Sequence, residues 1–373
     1  MMRILHLQKV KGIGGSERHL LSLLPRLRDS GIEVRMCAAT SADGYRFVEQ
    51  MRRCGVDVMQ VPAGSNVNPA LARAVAGQIR VFRPTLVHTH LLHGDVYGQS
   101  TARMRGVKAV SSFHSTHEFY ARGLVGAAER LAGRLACRTI AISEHVRDFL
   151  LKHHLRPAQA IRVVPYGVVT SDWKVTAEQR AEARASFQLE DDDIAVGVAS
   201  RLIPGKGHNV LLRAFAEARE AVPALRLRIA GDGPLRGELQ AAAATLDRGA
   251  VRLLGFVPDM RAFMGACDIV VFPTQPSLGE GFGLAALEAM AAERPVVASR
   301  LASLPEVVRD GETGMLVAPE DPRALARALA RLGADPSMRR MLGSEAGRRA
   351  AADFDLDRMV RATIGVYREA VES

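Results

Sequence analysis

The stretch that decides the fold reads GEGFGLAALEAM, from Gly279 to Met290, and it follows an apolar stretch, DIVVFPT, at residues 268–274. An apolar strand, a glycine-rich turn and an alanine-rich helix are typical of one strand–helix unit of a parallel sheet. The first N–H groups of such a helix lack intrahelical acceptors and favour an anion. Glu280 and Glu288 flank this turn and can accept hydrogen bonds from hydroxyl groups. The stretch therefore predicts a site for an elongated ligand with an anionic middle and hydroxyl-bearing ends.

The same alternation of apolar strands and amphipathic helices extends along the chain, which predicts parallel sheets covered by helices on both faces. The first helix is expected to begin at about Ser16, with Ser16 as its N-cap. The predicted strands form a first series at 3–8, 33–39, 57–62, 85–90, 108–114, 139–143 and 161–167 and a second at 194–202, 226–233, 251–256, 268–274, 294–299 and 314–319. We therefore predict an α/β fold with two doubly wound, Rossmann-like parallel sheets.

The two series are separated by PYGVVTSDWK, residues 165–174, where proline, glycine and polar residues interrupt the pattern. We therefore predict an N-terminal domain at 1–168 and a C-terminal domain at 169–355. A final helix, at about 356–373, is expected to pack back onto the N-terminal domain. Because ligands of open α/β sheets bind beyond the carboxyl ends of the strands, two facing sheets would form an interdomain cleft.

Composition is that of a globular protein, with 48% hydrophobic and 24% charged residues among 373. The sequence contains no run of about 18 apolar residues, so no membrane span is predicted. Its start, MMRILHLQKVKGIGG, lacks the pattern of a signal peptide. The four cysteines are scattered, which indicates reduced thiols and a cytoplasmic location. They are Cys37, Cys54, Cys137 and Cys267.

The net charge of +10 favours acidic partners, and the excess of cations is uneven along the chain. Residues 101–162 mix arginine, lysine and histidine with leucine, phenylalanine and valine. Two interpretations stay open: ordinary solvated helix faces, or a patch that rests peripherally on the anionic inner face of the plasma membrane. Nucleic acid is not an expected partner, because no aromatic–basic interleaving or zinc-finger spacing is present.

Short motifs follow one another through almost the whole chain. They are GIGGSERHL, VHTH, SSFHSTHE, AISEHVRDFL and VVPYGV in the first half, and ASRLIPGKG, IAGDGPL, LGFVPDM, CDIVVFPT and GEGFGLAALEAMAAERPVVAS in the second. Together they resemble the retaining glycosyltransferases of the GT4 type, also called glycosyl transferases group 1. The resemblance implies the GT-B fold, in which two Rossmann-like domains face a cleft, and the use of a nucleotide-diphosphate sugar.

The resemblance also implies roles for charged residues of the second half. Arg201 and Lys206, in a proline- and glycine-containing turn after a strand, would stabilise the departing diphosphate as catalytic cations. Glu280 would contact the transferred sugar as a further catalytic residue, and Glu288 would bind the ribose hydroxyls of the donor. Donor-binding backbone N–H groups are expected at Phe282, Gly283 and Leu284.

Three residues of the first half complete the expected site. Gly14 and Gly15 follow the first strand with a spacing other than GxGxxG, and by resemblance their loop lies over the donor phosphate. A plain tight turn is the alternative for this glycine pair. His114 ends a predicted strand, and by resemblance it contacts the donor sugar near the reacting carbon. A purely structural histidine is the alternative here.

No metal site is expected. His88 and His90 alternate on one strand face, and with His93 they suggest a metal centre, but a matched carboxylate or fourth ligand is missing. The acidic strings EDDDI, at 190–194, and DFDLD, at 353–357, are interpreted as a turn and as a helix-cap region. The implied enzyme is metal-independent, with cationic side chains in place of a metal ion.

Two positions depart from the family pattern. Glu293 stands where glycine is usual, which affects a helix end, and Val169 stands where aspartate commonly follows the YGV element. Neither position belongs to the residues expected to bind the diphosphate.

The sequence is thus interpreted as a retaining glycosyltransferase that moves a sugar from a nucleotide-diphosphate sugar to a cell-envelope acceptor. The acceptor would be lipopolysaccharide, a lipid-linked precursor or a polysaccharide precursor. The UDP- or GDP-sugar donor is a substrate, so no cofactor is expected. Two alternatives stay open, a nucleotide-sugar 2-epimerase of the same fold and a non-catalytic module that binds nucleotide sugars.

Overall fold

Two parallel sheets, each covered by helices, organise the chain in the computed structural model, which describes residues 1–64, 68–247 and 249–373, without the side chain of Asp43. Each sheet belongs to its own compact unit. The first unit comprises residues 1–167 with 356–373, and the second comprises residues 168–355. The chain thus passes from one unit to the other twice, and its last helix belongs to the first unit.

The first unit contains a seven-stranded parallel sheet in the order β3-β2-β1-β4-β5-β6-β7. Its strands are β1 (Arg3–Val10), β2 (Glu33–Thr40), β3 (Asp57–Pro62), β4 (Leu86–His90), β5 (Lys108–Phe113), β6 (Arg138–Ala141) and β7 (Ile161–Val163). Its α-helices are α1 (Gly15–Asp29), α2 (Tyr45–Arg53), α3 (Pro69–Phe82), α4 (Leu91–Gly94), α5 (Ser100–Met104), α6 (Gly123–Gly133), α7 (Glu144–Lys152) and α16 (Leu356–Glu372). A π-helical turn spans Asp95–Gln99, and 3₁₀ turns span Ala42–Gly44, Glu118–Tyr120 and Ala158–Ala160.

The two faces of this sheet are chemically different. One face is an apolar core in which Leu5, Leu7 and Val87 pack against Ile79 and Phe82 of α3. The strand period of two places the intervening residues on the opposite face, which contains histidines.

Helix α16 covers the histidine face and is held by polar contacts. The Tyr367 hydroxyl lies 2.7 Å from His88 Nδ1. Glu369 Oε2 forms ion pairs with Arg138 and Arg162 at 3.2 Å and 2.7 Å. The last helix of the chain is therefore an integral part of the first unit.

The second unit contains a six-stranded parallel sheet in the order β10-β9-β8-β11-β12-β13. Its strands are β8 (Ile194–Ala199), β9 (Leu225–Ala230), β10 (Val251–Gly255), β11 (Ile269–Phe272), β12 (Val296–Ser299) and β13 (Gly314–Val317). Its α-helices are α8 (Ala177–Ser186), α9 (His208–Ala221), α10 (Arg236–Ala243), α11 (Met260–Ala266), α12 (Leu284–Ala291), α13 (Leu304–Val307), α14 (Pro322–Ala334) and α15 (Pro336–Asp353), and a 3₁₀ turn spans Thr170–Trp173. Val196, Leu227, Phe215, Leu329 and Leu332 lie in its buried core.

The predicted α/β fold with two doubly wound sheets is confirmed, and each predicted strand has a counterpart in the structure. Several predicted strands are too long at their carboxyl ends. In the segment predicted at 194–202, for example, the strand ends at Ala199. Leu202 is apolar and buried like a strand residue, but it lies in the loop that follows the strand. These overestimates fall on the loops that carry the candidate site.

The N-cap prediction for Ser16 is wrong. Helix α1 begins at Gly15, and its N-cap is Gly14. The carboxylate of Glu17 accepts a hydrogen bond from the Gly14 N–H at 3.0 Å, so an acidic side chain takes the capping role.

Glu293, which departs from the family pattern, lies in the left-handed region just after α12. Its φ is 59°, and its N–H donates to the Met290 carbonyl at 2.9 Å. A β-carbon in this region costs roughly 1–2 kcal/mol, which explains why glycine suits the position. The other departure, Val169, precedes the 3₁₀ turn Thr170–Trp173, where its side chain offers no capping acceptor.

We expect Glu293→Gly to be more stable than Glu293→Ala by about 1 kcal/mol, because only glycine adopts the left-handed conformation without strain. Both variants lose the exposed Lys174–Glu293 ion pair, so its contribution cancels. Chemical denaturation measures the difference. At Glu217, exposed within α9, the same pair of substitutions should favour alanine by about 1 kcal/mol. Equal stability of the two variants at position 293 would contradict this account.

Candidate active site

The loop between β8 and α9 contains two of the predicted cations and is shaped by glycine. Gly205 and Gly207 have φ values of 87° and 76°. A β-carbon at Gly207 would lie 1.8 Å from the Pro273 carbonyl oxygen, and one at Gly205 would lie 2.8 Å from Leu278 Cβ. Only glycine allows this loop to press against the segment that follows β11, and that packing fixes the position of Lys206.

Lys206 meets Glu280 in this second unit. Its Nζ lies 2.7 Å from Glu280 Oε2, and each side chain is about one-fifth exposed. Arg201, on the same loop, is exposed. The structure thus brings together a cation and a carboxylate that the sequence assigned to separate ligand groups, and it leaves both accessible to a ligand.

The turn before α12 has the predicted strand–turn–helix form. Gly283, with a φ of 85°, directly precedes the first helical residue, Leu284. Phe282 is buried and stacks edge-on against Phe354, with ring centroids 5.8 Å apart. Glu288, 3% exposed, lies one turn into the helix. The predicted donor-binding residues of this turn therefore sit on a rigid, largely buried support.

A second glycine loop, after β9, contributes to the same edge of the sheet. A β-carbon at Gly231 would lie 1.9 Å from the Ser200 carbonyl oxygen, so this loop packs directly on the loop with Arg201 and Lys206. His208, at the start of α9, lies 3.0 Å from the Ser200 hydroxyl through Nε2. Burial and the nearby Lys206 lower the pKa of His208 to about 4. Neither Gly231 nor His208 is among the residues predicted from the sequence for this site, although the glycine spacing in IAGDGPL was a visible signal for Gly231.

Gly14 and Gly15 lie in the first unit, and both are exposed. Gly14 has a φ of −110°, and Gly15 is the first residue of α1. Neither conformation requires glycine, although a β-carbon at Gly14 would lie only 3.2 Å from Glu17 Oε2. The buried Glu17 holds the loop, because Gln8 Nε2 donates to its Oε1 at 2.6 Å and the Gly14 N–H donates to its Oε2. Sequence reasoning missed Glu17, although its place in the first helical turn was a capping signal.

His114 directly follows β5 in the first unit and is half-buried. Its Nε2 lies 3.0 Å from His90 Nδ1, and its Nδ1 lies 2.7 Å from the Tyr166 hydroxyl. Burial lowers the pKa of His114 to about 3, so the ring is neutral at pH 7. Both ring nitrogens are therefore engaged within the unit.

The histidine grouping differs from the one considered in the sequence. His6, His88 and His90 bring ring nitrogens within 4.8 Å of one another, a set that could hold a metal ion. In the structure His6 Nδ1 lies 3.1 Å from His90 Nε2, while His88 contacts hydroxyl groups. His93 lies elsewhere, 3.3 Å from Lys9 Nζ. The parallel neighbours β1 and β4 place His6 opposite His88, which no local pattern could show.

The acidic strings have structural contacts. Asp193, in the first string, forms an ion pair with Arg226 at 2.9 Å. Asp355, in the second, directly precedes α16. Both observations agree with the interpretation of these strings as a turn and a helix start.

Comparison with known proteins decides the family. Residues 13–172 match the family described as Glycosyltransferase Family 4, and residues 193–335 match Glycosyl transferases group 1. The D-inositol 3-phosphate glycosyltransferase of Streptomyces bingchenggensis is 32% identical over 413 residues, which cover 98% of this chain and 87% of that protein. The chain belongs to glycosyltransferase family 4.

Solved structures place this glycosyltransferase in the GT-B fold. HepE of Anabaena, in complex with UDP and glucose, superposes with a TM-score of 0.86 at 22% identity, covering 99% of this chain and 100% of HepE. A glycosyltransferase of Rickettsia africae gives a TM-score of 0.87 at 18% identity, covering 100% and 99% of the two chains. The family and the fold that the sequence motifs predicted are thereby confirmed.

Proposed function

We propose that this glycosyltransferase moves a sugar from a nucleotide-diphosphate sugar to a cell-envelope acceptor with retention of the anomeric configuration. The observation that carries the proposal is the Lys206–Glu280 pair, at 2.7 Å, beside the exposed Arg201 and the turn before α12. A UDP- or GDP-sugar is the proposed donor. The complexes of HepE with UDP and with UDP-glucose support a uridine nucleotide.

Lys206 and Glu280 serve different parts of the donor in this proposal. An ammonium group has three N–H donors, so Lys206 can keep Glu280 and still donate to a diphosphate oxygen. Glu280 retains acceptor positions for a sugar hydroxyl. Arg201 adds a second cation at the diphosphate, and backbone N–H groups at Phe282, Gly283 and Leu284 add neutral donors. Glu288 accepts hydrogen bonds from the ribose hydroxyls.

Retention follows from a same-face displacement. The bond between the anomeric carbon and the diphosphate oxygen breaks through an oxocarbenium-like state, and the acceptor oxygen bonds to the same face of the sugar. The departing diphosphate oxygen takes the proton of the acceptor hydroxyl. Arg201 and Lys206 stabilise the charge that develops on the diphosphate, so the proposed reaction needs no metal ion and no cofactor. Activity is therefore expected to persist in EDTA.

In the first unit, Gly14 and Gly15 keep the role at the donor phosphate that the family resemblance implies. The exposed backbone of Gly14 and Gly15 permits close approach of a phosphate, because neither residue has a side chain to block it. His114 is the proposed contact of the transferred sugar. Both of its ring nitrogens have partners, so its place at the end of β5 is firmly fixed.

The anomeric outcome tests the mechanism. Proton NMR of the glycoside formed from UDP-glucose should show the α configuration of the donor. A β product would contradict retention. Conversion of the nucleotide sugar into its 2-epimer without acceptor would favour the epimerase alternative.

The acceptor proposal rests on the surface of the first unit. Helix α6 exposes Leu124 (90% exposed) and Leu131 (64%), which lie on one face of the helix, flanked by the exposed Arg122 and Arg134. An apolar stripe edged with cations fits an anionic membrane surface, where a lipid-linked acceptor would be presented. Among the described residues, the helices are too short or too polar to cross a membrane.

We expect the double variant Leu124→Asp/Leu131→Asp to bind vesicles of phosphatidylglycerol about tenfold more weakly than the parent protein, because it loses apolar area and gains negative charge. Liposome flotation measures the bound fraction. Met341→Asp, at an exposed apolar residue of α15 in the second unit, is the matched control and should bind like the parent. Equal flotation with purely neutral phosphatidylcholine vesicles would remove the basis of the membrane proposal.

A further inference from the structure

Five histidine side chains gather at the face of the first sheet that α1 and α16 cover. His6 belongs to β1, His88 and His90 to β4, and His114 follows β5, while His19 of α1 packs over them. Burial lowers the pKa of each of these groups. Each ring is therefore neutral at pH 7, with one N–H donor and one acceptor nitrogen.

Three of these rings form a continuous hydrogen-bonded chain that ends on a tyrosine. His6 Nδ1 lies 3.1 Å from His90 Nε2, and His90 Nδ1 lies 3.0 Å from His114 Nε2. His114 Nδ1 then lies 2.7 Å from the Tyr166 hydroxyl. Since each neutral ring donates only once, the direction of one hydrogen bond sets the direction of the others. The chain therefore has one of two proton arrangements.

The buried end of the chain selects between the two arrangements. His6 Nε2 is buried and has no hydrogen-bond partner among the described residues. If each ring donates toward Tyr166, the His6 proton is on Nδ1, and Nε2 carries only a lone pair. If each group donates in the opposite direction, toward His6, then Nε2 of His6 carries the proton as an N–H group. Buried N–H groups without acceptors are rare in proteins. The favoured arrangement thus places the proton on Nδ1 of His6, His90 and His114, which is the minor tautomer of free histidine.

We propose that His90 and Tyr166 are positioning residues that hold His114 as its Nδ1–H tautomer and fix the ring for sugar transfer. The functional part rests on the proposed role of His114, whereas the tautomer is a property of the protein alone. Tyr166 is itself held, because its ring stacks on His19 with centroids 4.4 Å apart. His19 lies in α1, directly after the loop of Gly14 and Gly15.

A second tyrosine–histidine pair on the same face provides a matched control. His88 Nδ1 lies 2.7 Å from the Tyr367 hydroxyl, and His88 Nε2 lies 2.8 Å from the Ser112 hydroxyl. Tyr367 is fully buried, and its hydrogen bond has the same length as that of Tyr166. It does not belong to the chain that reaches His114. Tyr166→Phe and Tyr367→Phe therefore remove equivalent hydroxyl groups with different expected consequences.

The direct test is two-bond ¹H–¹⁵N NMR of the protein labelled with ¹⁵N-histidine, which distinguishes protonated from bare ring nitrogens. The His114 signals are assigned by their loss in His114→Gln. In the parent protein at pH 7.5, His114 should be a single neutral Nδ1–H tautomer. In Tyr166→Phe it should shift toward Nε2–H, while in Tyr367→Phe it should stay unchanged. An Nε2–H or mixed tautomer in the parent, or no shift in Tyr166→Phe, would overturn the proposal.

Kinetics test the functional part. Tyr166→Phe should lower kcat about 10- to 100-fold through misplacement of His114. Its Kd for UDP should stay within about twofold of the parent value, because the diphosphate contacts proposed in the second unit are untouched. Tyr367→Phe should keep the parent kcat even where its Tm falls. Equal loss of kcat in both variants would show that the hydrogen-bonded histidines only stabilise the fold and do not position His114 for transfer.

The two failures can be told apart. If no donor sugar is transferred by the parent protein, the proposed function fails, while the NMR experiment still decides the tautomer of His114. If transfer occurs and His114 is not the Nδ1–H tautomer, the positioning proposal fails while the function stands.

Discussion

Lys206→Ala is expected to lower kcat for sugar transfer by about 100- to 1000-fold, the loss typical of one donor that stabilises developing charge in a transition state. The loss corresponds to about 3–4 kcal/mol of barrier. The ammonium group is held at 2.7 Å from Glu280 on a loop whose backbone is fixed by the close packing of Gly205 and Gly207. Release of UDP from UDP-glucose in the presence of acceptor measures the rate.

Lys174→Ala is the matched control for this prediction. Lys174 also pairs with a glutamate of the second unit, Glu293, at 2.9 Å, but this pair is exposed and outside the proposed site. Its loss should leave kcat unchanged. Lys206→Arg should keep part of the activity, because it keeps the charge. A Lys206→Ala protein that is folded and transfers sugar at the parent rate would refute the assigned role.

Acid should unfold the first unit at a pH where the second is still folded. Burial lowers the pKa of His6 and His114 to about 3 and lowers those of His19, His88 and His90 well below the usual value. As the pH falls below about 6.5, these histidines become protonated in the unfolded chain but stay neutral in the folded unit, so the free energy of unfolding decreases. For a folded pKa of about 3 the loss at pH 5 is about 2 kcal/mol per histidine.

The pKa values of His19, His88 and His90 are lowered as well, so all five histidines act in the same direction, and a loss of a few kcal/mol is a large part of a typical stability of about 5–15 kcal/mol. Burial raises the pKa of Glu129 to about 7, and this group acts in the opposite direction, since acid relieves its buried charge. Burial also raises the pKa of Asp95, so two carboxyls oppose the five histidines.

Two probes follow the units separately during acid titration. The single tryptophan, Trp173, belongs to the second unit, so its fluorescence reports there, while far-ultraviolet circular dichroism reports on both units. Ellipticity should fall between pH 6 and pH 4.5 before the fluorescence changes. His6→Phe should shift the first transition to lower pH, because it removes one proton-binding site of the unfolded chain. Unchanged ellipticity down to pH 4 would contradict the prediction.

Local patterns in the sequence predicted the two sheets, because hydrophobic periodicity is a property of neighbouring residues. The same reasoning placed Glu280 and Glu288 around a turn and Lys206 in a glycine loop. It could not predict that Lys206 contacts Glu280, since the two lie 74 positions apart and meet because β8 and β11 are neighbours in the sheet. Strand order is a global property that no local pattern records.

The histidine chain shows the same limit. His88 and His90 alternate visibly on one strand, but His6 joins them only through the pairing of β1 with β4. Tyr166 and His114 are likewise 52 positions apart. Backbone conformation was also not predictable from the residue type, because a glutamate gives no indication that Glu293 has a left-handed φ. The family pattern, with its usual glycine, was the available signal for that residue.

Isothermal titration of the protein with UDP, GDP, ADP and CMP, repeated on Lys206→Ala and Glu288→Gln, tests the central claim most directly. The account predicts micromolar binding of one diphosphate, UDP or GDP, and at least about tenfold weaker binding by both variants, because each loses a charged contact to the ligand. Absence of binding by all four nucleotides, or equal affinity of the parent and both variants, would contradict a donor site at Lys206, Glu280 and Glu288.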